Sequence, residues 1–285
     1  MEEDIELAKR VSEIDITMGG HEHENIKAWR GNPPTLITKA DANARTAYVH
    51  RITYDSNTDT FTQTADLTRV YGALPDDANV AKRVAYWENI AFAGFKSQGF
   101  DPDKLVTNST DDLDGREASV RNQPTKLTNL ITDGMIAAHS DAVVSISNSG
   151  SVRIDDVIPA GRISEYDVIR ILPFGGDTIL VKMKGSVLKR TLDQGEMNVG
   201  SGGFLIQSGA QKNVGGEWEI AGSSLDENAI YDVAIAEFLL TGKEKGLDFL
   251  NIENANPDEL KTIESLGDVR NSLISQLKAT YGAPD

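Results

Sequence analysis

The stretch from Asn148 to Gly176 constrains this chain more than any other part of its sequence. It combines a Gly/Ser turn, the lone Arg153, a loop with proline and glycine, a short helical segment and Phe174 on a Pro-Phe-Gly-Gly turn. Glycine lets the backbone approach a ligand closely, and a guanidinium offers a rigid fork to phosphate or carboxylate. An aromatic residue on a turn is also hard to explain as core. The stretch therefore predicts a site for a small anionic molecule that carries a ring.

The composition narrows the classes of protein and partner. The chain has 285 residues, 39% of them hydrophobic, which is enough for a buried core in one large or two small domains. Its 25 glycines and 9 prolines favour a loop-rich mixed fold over a helical bundle. A net charge of -16 argues against a nucleic acid polymer as partner, although a few local arginines can still hold a mononucleotide.

Several kinds of site and segment are excluded outright. Because the chain has no cysteine, disulfides, thiolate metal sites and a cysteine nucleophile are ruled out. No run approaches the roughly 20 apolar residues of a membrane helix, so we expect no membrane segment. The acidic, amphipathic start over 1–15 is the opposite of an export signal. The compartment and the oligomeric state stay open.

Periodicity and turn residues divide the chain into short elements. The pattern predicts helices at 5–12, 78–100, 126–138, 164–171, 186–193 and 257–281, and strands at 15–18, 35–39, 46–54, 60–67, 116–121, 142–147, 179–183, 205–208, 217–220 and 231–236. The strand at 60–67 is expected to pair back with the one before it. The polar segment 101–115 is the best candidate for a linker or a domain boundary. The order predicts a partial segment to about 70, a helical connection, and an α+β domain from about 110 to 255.

Two histidines suggest a metal site. His21 and His23 follow a predicted strand in the sequence Gly-Gly-His-Glu-His. Residues two apart cannot share a helix face, but in an extended turn their imidazoles can aim at one divalent metal ion. A surface loop explains the same pattern equally well. Two histidines are also too few for a site without carboxylates or further histidines from elsewhere.

Three arginines and two phenylalanines are candidates for ligand binding. Arg116 and Arg121 flank a predicted strand, and Arg153 follows a glycine-containing turn. Scattered arginines are usually solvated, and this alternative is weakest for Arg153 because of its glycine setting. Phe174 and Phe238 could clamp a nucleobase between them, since base stacking stabilises by about 1–3 kcal/mol. Either ring alone is more often part of a core.

Taken together, the segments resemble the 5′-nucleotidase family of two-domain metallophosphoesterases. The sequence GGHEH is similar to the last metal-binding motif of the family's catalytic domain. The segments that follow in the family's order are LDGREASVRNQPTKLTNLITDGM, NSGSVR, ISEYDVIRILPFGG, SGGFLI and YDVAIAEFLLTG. The resemblance covers nearly the whole chain.

The resemblance implies a fold and a domain order. The fold is α+β, with a mixed-sheet 5′-nucleotidase C-terminal domain preceded by a partial calcineurin-like metallophosphoesterase α/β segment. The implied limits are a remnant of the metallophosphoesterase domain at 1–70, a linker helix at 71–110, the substrate-binding domain at 111–255 and a C-terminal helix at 256–285. In this family two divalent metal ions, often zinc or manganese, activate a water that attacks the phosphate of a nucleotide.

The same resemblance implies roles for individual residues. It implies that His21 and His23 ligate metal and that Arg121 and Arg153 contact the phosphate or ribose, as does Arg116 with a looser fit to the family's pattern. It implies that Asn148 forms a hydrogen bond to the base, on which Phe174 and Phe238 stack. It also implies a place in the ribose loop for Glu244. The implied partner is a mononucleotide or nucleoside, with no nucleic acid polymer.

The chain departs from the family's pattern in ways that bear on activity. The earlier metal-binding motifs and the histidine that assists the attacking water do not occur, so we expect the chain alone to be inactive. Pro124 stands where glutamate is common, and Thr128 where glycine is common. Glu244 or a neighbour within 243–246 replaces the aspartate that the family brings to the ribose. This substitution puts ribose recognition in question.

Two alternatives therefore stay open. The chain could be a nucleoside-binding module without catalysis, or part of a related hydrolase that acts on UDP-sugars, cyclic phosphodiesters or sulfur esters. The family is often periplasmic or extracellular, but the sequence carries no signal that assigns a compartment.

Overall fold

The computed structural model describes residues 1–284, which form two compact units. The first unit is Met1–Trp87 and the second begins at Glu88. The limit between the two units falls inside the helix Ala78–Ser97. Within the described residues, none of the helices has the length and apolar character needed to cross a bilayer. The domain limits expected at 70, 110 and 255 stay predictions.

The first unit combines a three-stranded sheet, a helix and a hairpin. Its elements are α1 (Glu2–Arg10), β1 (Ile16–Gly19), β2 (Ile26–Arg30), β3 (Thr35–Lys39), β4 (Thr46–Asp55), β5 (Thr60–Arg69) and the first half of α2 (Ala78–Ser97). Strand β3 lies between β1, which is parallel to it, and β2, which is antiparallel. All five residues of β3 are buried, as a central strand covered on both faces requires. The sequence predicted the β4–β5 hairpin but missed β2.

The second unit is built on a five-stranded mixed sheet. Its elements are the second half of α2, β6 (Leu105–Ser109), β7 (Leu113–Asp114), α3 (Glu117–Val120), α4 (Lys126–Ala137), β8 (Val144–Asn148), β9 (Val157–Ile158), β10 (Gly161–Ser164), α5 (Glu165–Ile171), β11 (Asp177–Lys184), α6 (Gly185–Met197), β12 (Leu205–Ser208), β13 (Ala210–Lys212), β14 (Trp218–Ile220), β15 (Ser223–Ser224), β16 (Ile230–Ala236), β17 (Leu260–Asp268) and α7 (Val269–Tyr281). The main sheet has the order β12-β8-β16-β11-β17.

The two faces of this sheet carry separate hydrophobic clusters. Strand β16 alternates between them, because Ala234 belongs to one cluster while Val233 and Ile235 belong to the other. The first cluster includes buried side chains of α4, α5 and α7, and the second includes the leucines of α6. Only β8 and β16 are parallel neighbours in the sheet; the other pairs are antiparallel. The predicted mixed α+β fold is confirmed.

The segment 116–121, expected to be a strand, contains the short helix α3 instead. Asp114 accepts a hydrogen bond from the backbone N–H of Arg116 at 3.0 Å, and Asp155 accepts one from that of Glu117 at 2.9 Å. These carboxylates satisfy N–H groups that the first turn of a helix leaves unpaired. Asp155 lies far along the chain, so a local interpretation of the sequence could not include it.

The segment 101–115 is not a linker. It contains β6, which pairs antiparallel with β10, and β7, which pairs antiparallel with β9. Val106 and Leu113 are completely buried within it. The Asp-, Ser- and Thr-rich composition therefore concealed two strands of the second unit.

The C-terminal region 257–281, expected to be a single helix, begins with strand β17. This strand forms one edge of the main sheet and pairs with β11. Helix α7 starts only after Gly267, whose φ is +84°, and Asp268, whose side chain accepts a hydrogen bond from the N–H of Arg270 at 2.8 Å. Glycine followed by a capping aspartate is a helix-start signal that the sequence did contain.

Candidate functional site

A cavity of about 540 Å³ opens at one end of the strands of the main sheet. Asn148 ends β8 and Phe238 follows β16, and since these strands are parallel neighbours, their carboxyl ends lie at the same end of the sheet. Phe174 lies on the turn before β11, which runs antiparallel to β16 and so begins at this end. The topology thus brings three predicted residues from distant segments to one cavity.

The walls of the cavity are mostly apolar. The Phe174 side chain is 74% exposed and that of Phe238 is 46% exposed. The buried Leu172 and Val269 add further apolar surface. Exposed aromatic rings beside an apolar floor suit a planar, ring-bearing ligand, because such a ligand can bury apolar surface against them.

Glycines shape the turn that carries Phe174. Gly175 has a φ of +61° and Gly176 a φ of +92°, conformations that residues with a side chain rarely adopt. The N–H of Gly175 donates to the carbonyl of Leu172 at 3.2 Å, and the N–H of Val269 donates to the carbonyl of Gly176 at 3.0 Å. The turn is therefore closed on the residue that follows α5 and is attached to the first residue of α7.

Asn148 is a buried polar residue of the cavity wall. It is 7% exposed, and its side-chain amide donates a hydrogen bond to Glu244 Oε2 at 3.3 Å. The other oxygen of Glu244 accepts the N–H of Lys245 at 3.0 Å. Glu244, expected in the ribose loop, thus lies beside the residue that we expect to contact the base.

Arg153 and Arg121 lie around one carboxylate. Arg121 donates to Glu117 Oε1, and Arg153 Nη1 lies 3.9 Å from the same oxygen. The Arg153 guanidinium carbon is 5.8 Å from the centroid of the Phe174 ring. Two of the three predicted arginines are therefore close together, and Arg153 connects them to the aromatic wall of the cavity.

Arg116 is engaged elsewhere. Its Nε donates to Asp114 Oδ1 at 2.9 Å and its Nη2 to Oδ2 at 2.7 Å, a bidentate pair. The Arg116 guanidinium, with the backbone N–H of the same residue and the hydroxyl of Ser119, lowers the pKa of Asp114 to about 2. We therefore expect Arg116 to stabilise the loop before α3 and not to bind ligand.

The Asp114 pair predicts a specific pH dependence for the variant Arg116→Ala. The folded-state pKa of Asp114 is below its ordinary value of 3.8, so the pair's stabilisation is complete above about pH 5 and is lost as the pH falls through about 2. The difference in unfolding free energy between wild type and variant should follow that course in urea titrations. At neutral pH the variant should keep its affinity for AMP within about twofold, since an exposed ion pair stabilises the rest of the structure, including the ligand site, very little. A loss of AMP affinity would instead place Arg116 in the ligand site.

His21 and His23 belong to the first unit and lie in a loop after β1. Both have positive φ, +84° for His21 and +61° for His23. Between them, Glu22 accepts a hydrogen bond from the buried Lys39 at 2.6 Å, and this ammonium group lowers the pKa of Glu22 to about 2. Over residues 1–284 there is no group of three His, Cys, Asp or Glu side chains that could hold a metal ion. These residues alone do not fit a centre of two metal ions.

Two of the residues in or near the cavity that sequence reasoning missed lie in segments to which it assigned the wrong structure. Glu117 lies in the segment expected to be a strand. Residues four apart are neighbours in a helix but not in a strand, so its contact with Arg121 could not be expected. Val269 lies in the region expected to be one continuous helix, although the preceding glycine and aspartate signal a helix start. Both omissions follow from a wrong secondary-structure assignment.

Comparison with known proteins places this geometry in a family. The family model described as 5′-nucleotidase, C-terminal domain, matches residues 105–251, just over half of the 285 residues. The trifunctional nucleotide phosphoesterase protein YfkN of Bacillus subtilis is 29% identical over 207 residues, which are 70% of this chain and 14% of that protein. The 5′-nucleotidase of Mus musculus is 26% identical over 234 residues, covering 71% of this chain and 39% of the mouse protein.

A solved structure shows the same fold. The crystal structure of a 5′-nucleotidase precursor from Thermus thermophilus superposes with a TM-score of 0.73 at 22% identity, over 98% of this chain and 59% of the other. The chain thus spans less than two thirds of the length of each of these relatives. With residues 105–251 matched by the family model, the chain belongs to the 5′-nucleotidase family and carries its C-terminal domain.

Proposed function

We propose that this chain supplies the nucleotide-binding part of a metal-dependent, 5′-nucleotidase-like phosphoesterase that hydrolyses nucleoside phosphate esters. The observation that carries the proposal is the convergence of Asn148, Phe174 and Phe238 on one cavity, with Arg153 beside the Phe174 ring. Family membership supports a phosphoesterase as the class of the larger protein.

In the proposed complex, the base stacks on Phe174 and Phe238 and forms a hydrogen bond with the side chain of Asn148. Stacking on an aromatic ring stabilises by about 1–3 kcal/mol per base and fixes the plane of the ligand. Arg153 and Arg121 then attract the anionic end of the nucleotide, where Glu117 offsets part of their charge. The contribution of this chain to the reaction is orientation of the substrate.

The metal ions are proposed for the larger protein only. Two divalent ions, zinc or manganese, would supply an activated water and neutralise charge on the phosphate. On this chain His21 and His23 are the candidate ligands, and Glu22 between them is already paired with Lys39. The remaining ligands would have to come from residues outside this chain, so no chemical step is assigned to it.

Two measurements test the proposal. Titration calorimetry measures the binding of adenosine and AMP, and a phosphate-release assay with manganese or zinc measures turnover. We expect both ligands to bind, AMP more tightly, and no turnover by the chain alone. Arg153→Gln should weaken AMP more than adenosine, by about tenfold against less than twofold, because a charge-assisted hydrogen bond contributes about 1.5–3 kcal/mol. The matched control is Arg162→Gln, an exposed arginine that contacts the backbone of Asp103 and should change neither affinity.

Each alternative gives a different result in the same experiment. Equal affinity for adenosine and AMP would favour a nucleoside-binding module without catalysis. Tighter binding of UDP-glucose or a cyclic nucleotide would favour a related hydrolase. If neither nucleosides nor nucleotides bind, the proposed function is wrong, and turnover by the purified chain would refute the assignment of catalysis to other residues.

A further inference from the structure

We propose that Arg270 is a positioning residue for Phe174, holding the turn Pro173–Gly176 so that the Phe174 ring faces the cavity. The inference rests on the proposed function, because it takes Phe174 as a surface for a nucleobase. It adds a residue from helix α7 that does not line the cavity itself.

Arg270 is a buried cation held on two sides. It is only 6% exposed. Its Nε donates to Asp268 Oδ1 at 2.9 Å and its Nη2 to Asp268 Oδ2 at 2.6 Å, which fixes the plane of the guanidinium. One side of that plane lies against the buried Phe100, with the guanidinium carbon 4.3 Å from the ring centroid. The orientation of the guanidinium is therefore determined by its neighbours.

The turn lies directly on this guanidinium. A Cβ atom added to Gly175 would lie 2.7 Å from Arg270 Nη2 and 2.9 Å from its guanidinium carbon, closer than real contacts allow, and in a tight contact of 3.1 Å with Asp268 Oδ2. Glycine is thus required at position 175 by this contact as well as by its positive φ. The neighbouring residues tie the turn to the same helix, since Val269 N–H donates to the carbonyl of Gly176 at 3.0 Å.

The use of a charged pair at this place supports a geometric role. A buried ion pair is costly to desolvate, and well-packed apolar residues often stabilise a protein as well or better. In addition, a bidentate guanidinium–carboxylate pair fixes the plane of the guanidinium. The Phe174 ring is 74% exposed, so its orientation depends on the backbone beneath it, and that backbone rests on Arg270.

A double-mutant cycle with adenosine as the probe separates positioning from simple stability. We expect Arg270→Met to weaken adenosine binding about tenfold in the full chain at about 15 °C, near the temperature of greatest stability. We expect Arg270→Lys to weaken it by about threefold, because an ammonium can pair with Asp268 but offers no plane. In the Phe174→Ala background the further change Arg270→Met should alter affinity by less than about twofold, since the effect acts through the ring. Lys182→Met, which breaks the exposed pair with Asp232, is the control and should have no effect.

Two results would overturn the inference. One is an unchanged adenosine affinity in folded Arg270→Met, and the other is an equal loss in the wild-type and Phe174→Ala backgrounds. If Arg270→Met does not fold, Asp268→Asn replaces it in the same cycle with the same expectations. Wild-type chain that binds no adenosine would refute the proposed function and this inference together, whereas wild-type binding that the cycle leaves intact would refute the inference alone.

Discussion

Replacing either Phe174 or Phe238 by alanine is expected to weaken adenosine binding by roughly 5- to 150-fold. The range corresponds to the loss of about 1–3 kcal/mol for one base–aromatic stacking contact. Both rings line the same cavity and both are substantially exposed, so alanine at these positions should remove ligand contacts without leaving a buried void. Titration calorimetry on the two single variants and the double variant measures the effect.

The design of the control follows from the exposure of the rings. Phe61 is 36% exposed in the β5 strand of the first unit and does not line the cavity, so Phe61→Ala should leave adenosine affinity unchanged. The stacking contribution should also be insensitive to salt, unlike the contribution of Arg153 to AMP binding. If both phenylalanine variants bind adenosine as the wild type does, the cavity is not a nucleobase site.

The same substitution, glycine to alanine, is expected to have opposite effects at Gly185 and Gly94. A Cβ at Gly185 would lie 1.9 Å from the carbonyl oxygen of Asp226. The N–H of Gly185 donates to the carbonyl oxygen of Ala229 at 2.8 Å. Alanine there must separate α6 from the loop before β16, and we expect it to destabilise the second unit by about 3 kcal/mol. Gly94 lies in the last turn of α2, where an added Cβ would meet nothing within 4 Å, so alanine should stabilise by about 0.5–1 kcal/mol.

Thermal unfolding followed by near-ultraviolet circular dichroism distinguishes these two effects. For a unit of this size we expect a fall in melting temperature of about 10 °C for Gly185→Ala and a rise of about 2–3 °C for Gly94→Ala. The buried Trp218 donates to Asp193 of α6 at 2.8 Å and reports directly on that helix. A Gly185→Ala variant as stable as the wild type would mean that the backbone at this point is much less tightly packed than the structure indicates.

Local chemistry allowed much of the fold to be predicted. The predicted helices at 126–138 and 164–171 are confirmed, and Thr125 and Ser164 cap them, each side chain accepting from the N–H three residues later. Strand β3 and the β4–β5 hairpin were also predicted within one or two residues, since their apolar residues and turn sequences are local signals. In each case the information lies within about ten residues of the element.

Contacts between distant segments account for what could not be predicted. Helix α3 depends on a carboxylate from Asp155, and strand β17 is defined by its pairing with β11, about 80 residues earlier in the chain. The convergence of Asn148, Phe174 and Phe238 follows from the strand order of the sheet, which sequence spacing alone does not contain. The resemblance assigns these three residues to one base, and the cavity is where the structure brings them together.

The position of β17 has a consequence for where this domain can be cut. The family match stops at residue 251, yet β17 and α7 follow it and complete the sheet and the cavity through Val269. A protein shortened to the matched residues 105–251 would expose the edge of β11, which is an open template for aggregation. It would also lose the Asp268–Arg270 pair beneath the Phe174 turn. The smallest part of this chain that can be expected to bind a nucleoside as a separate domain therefore extends to Tyr281.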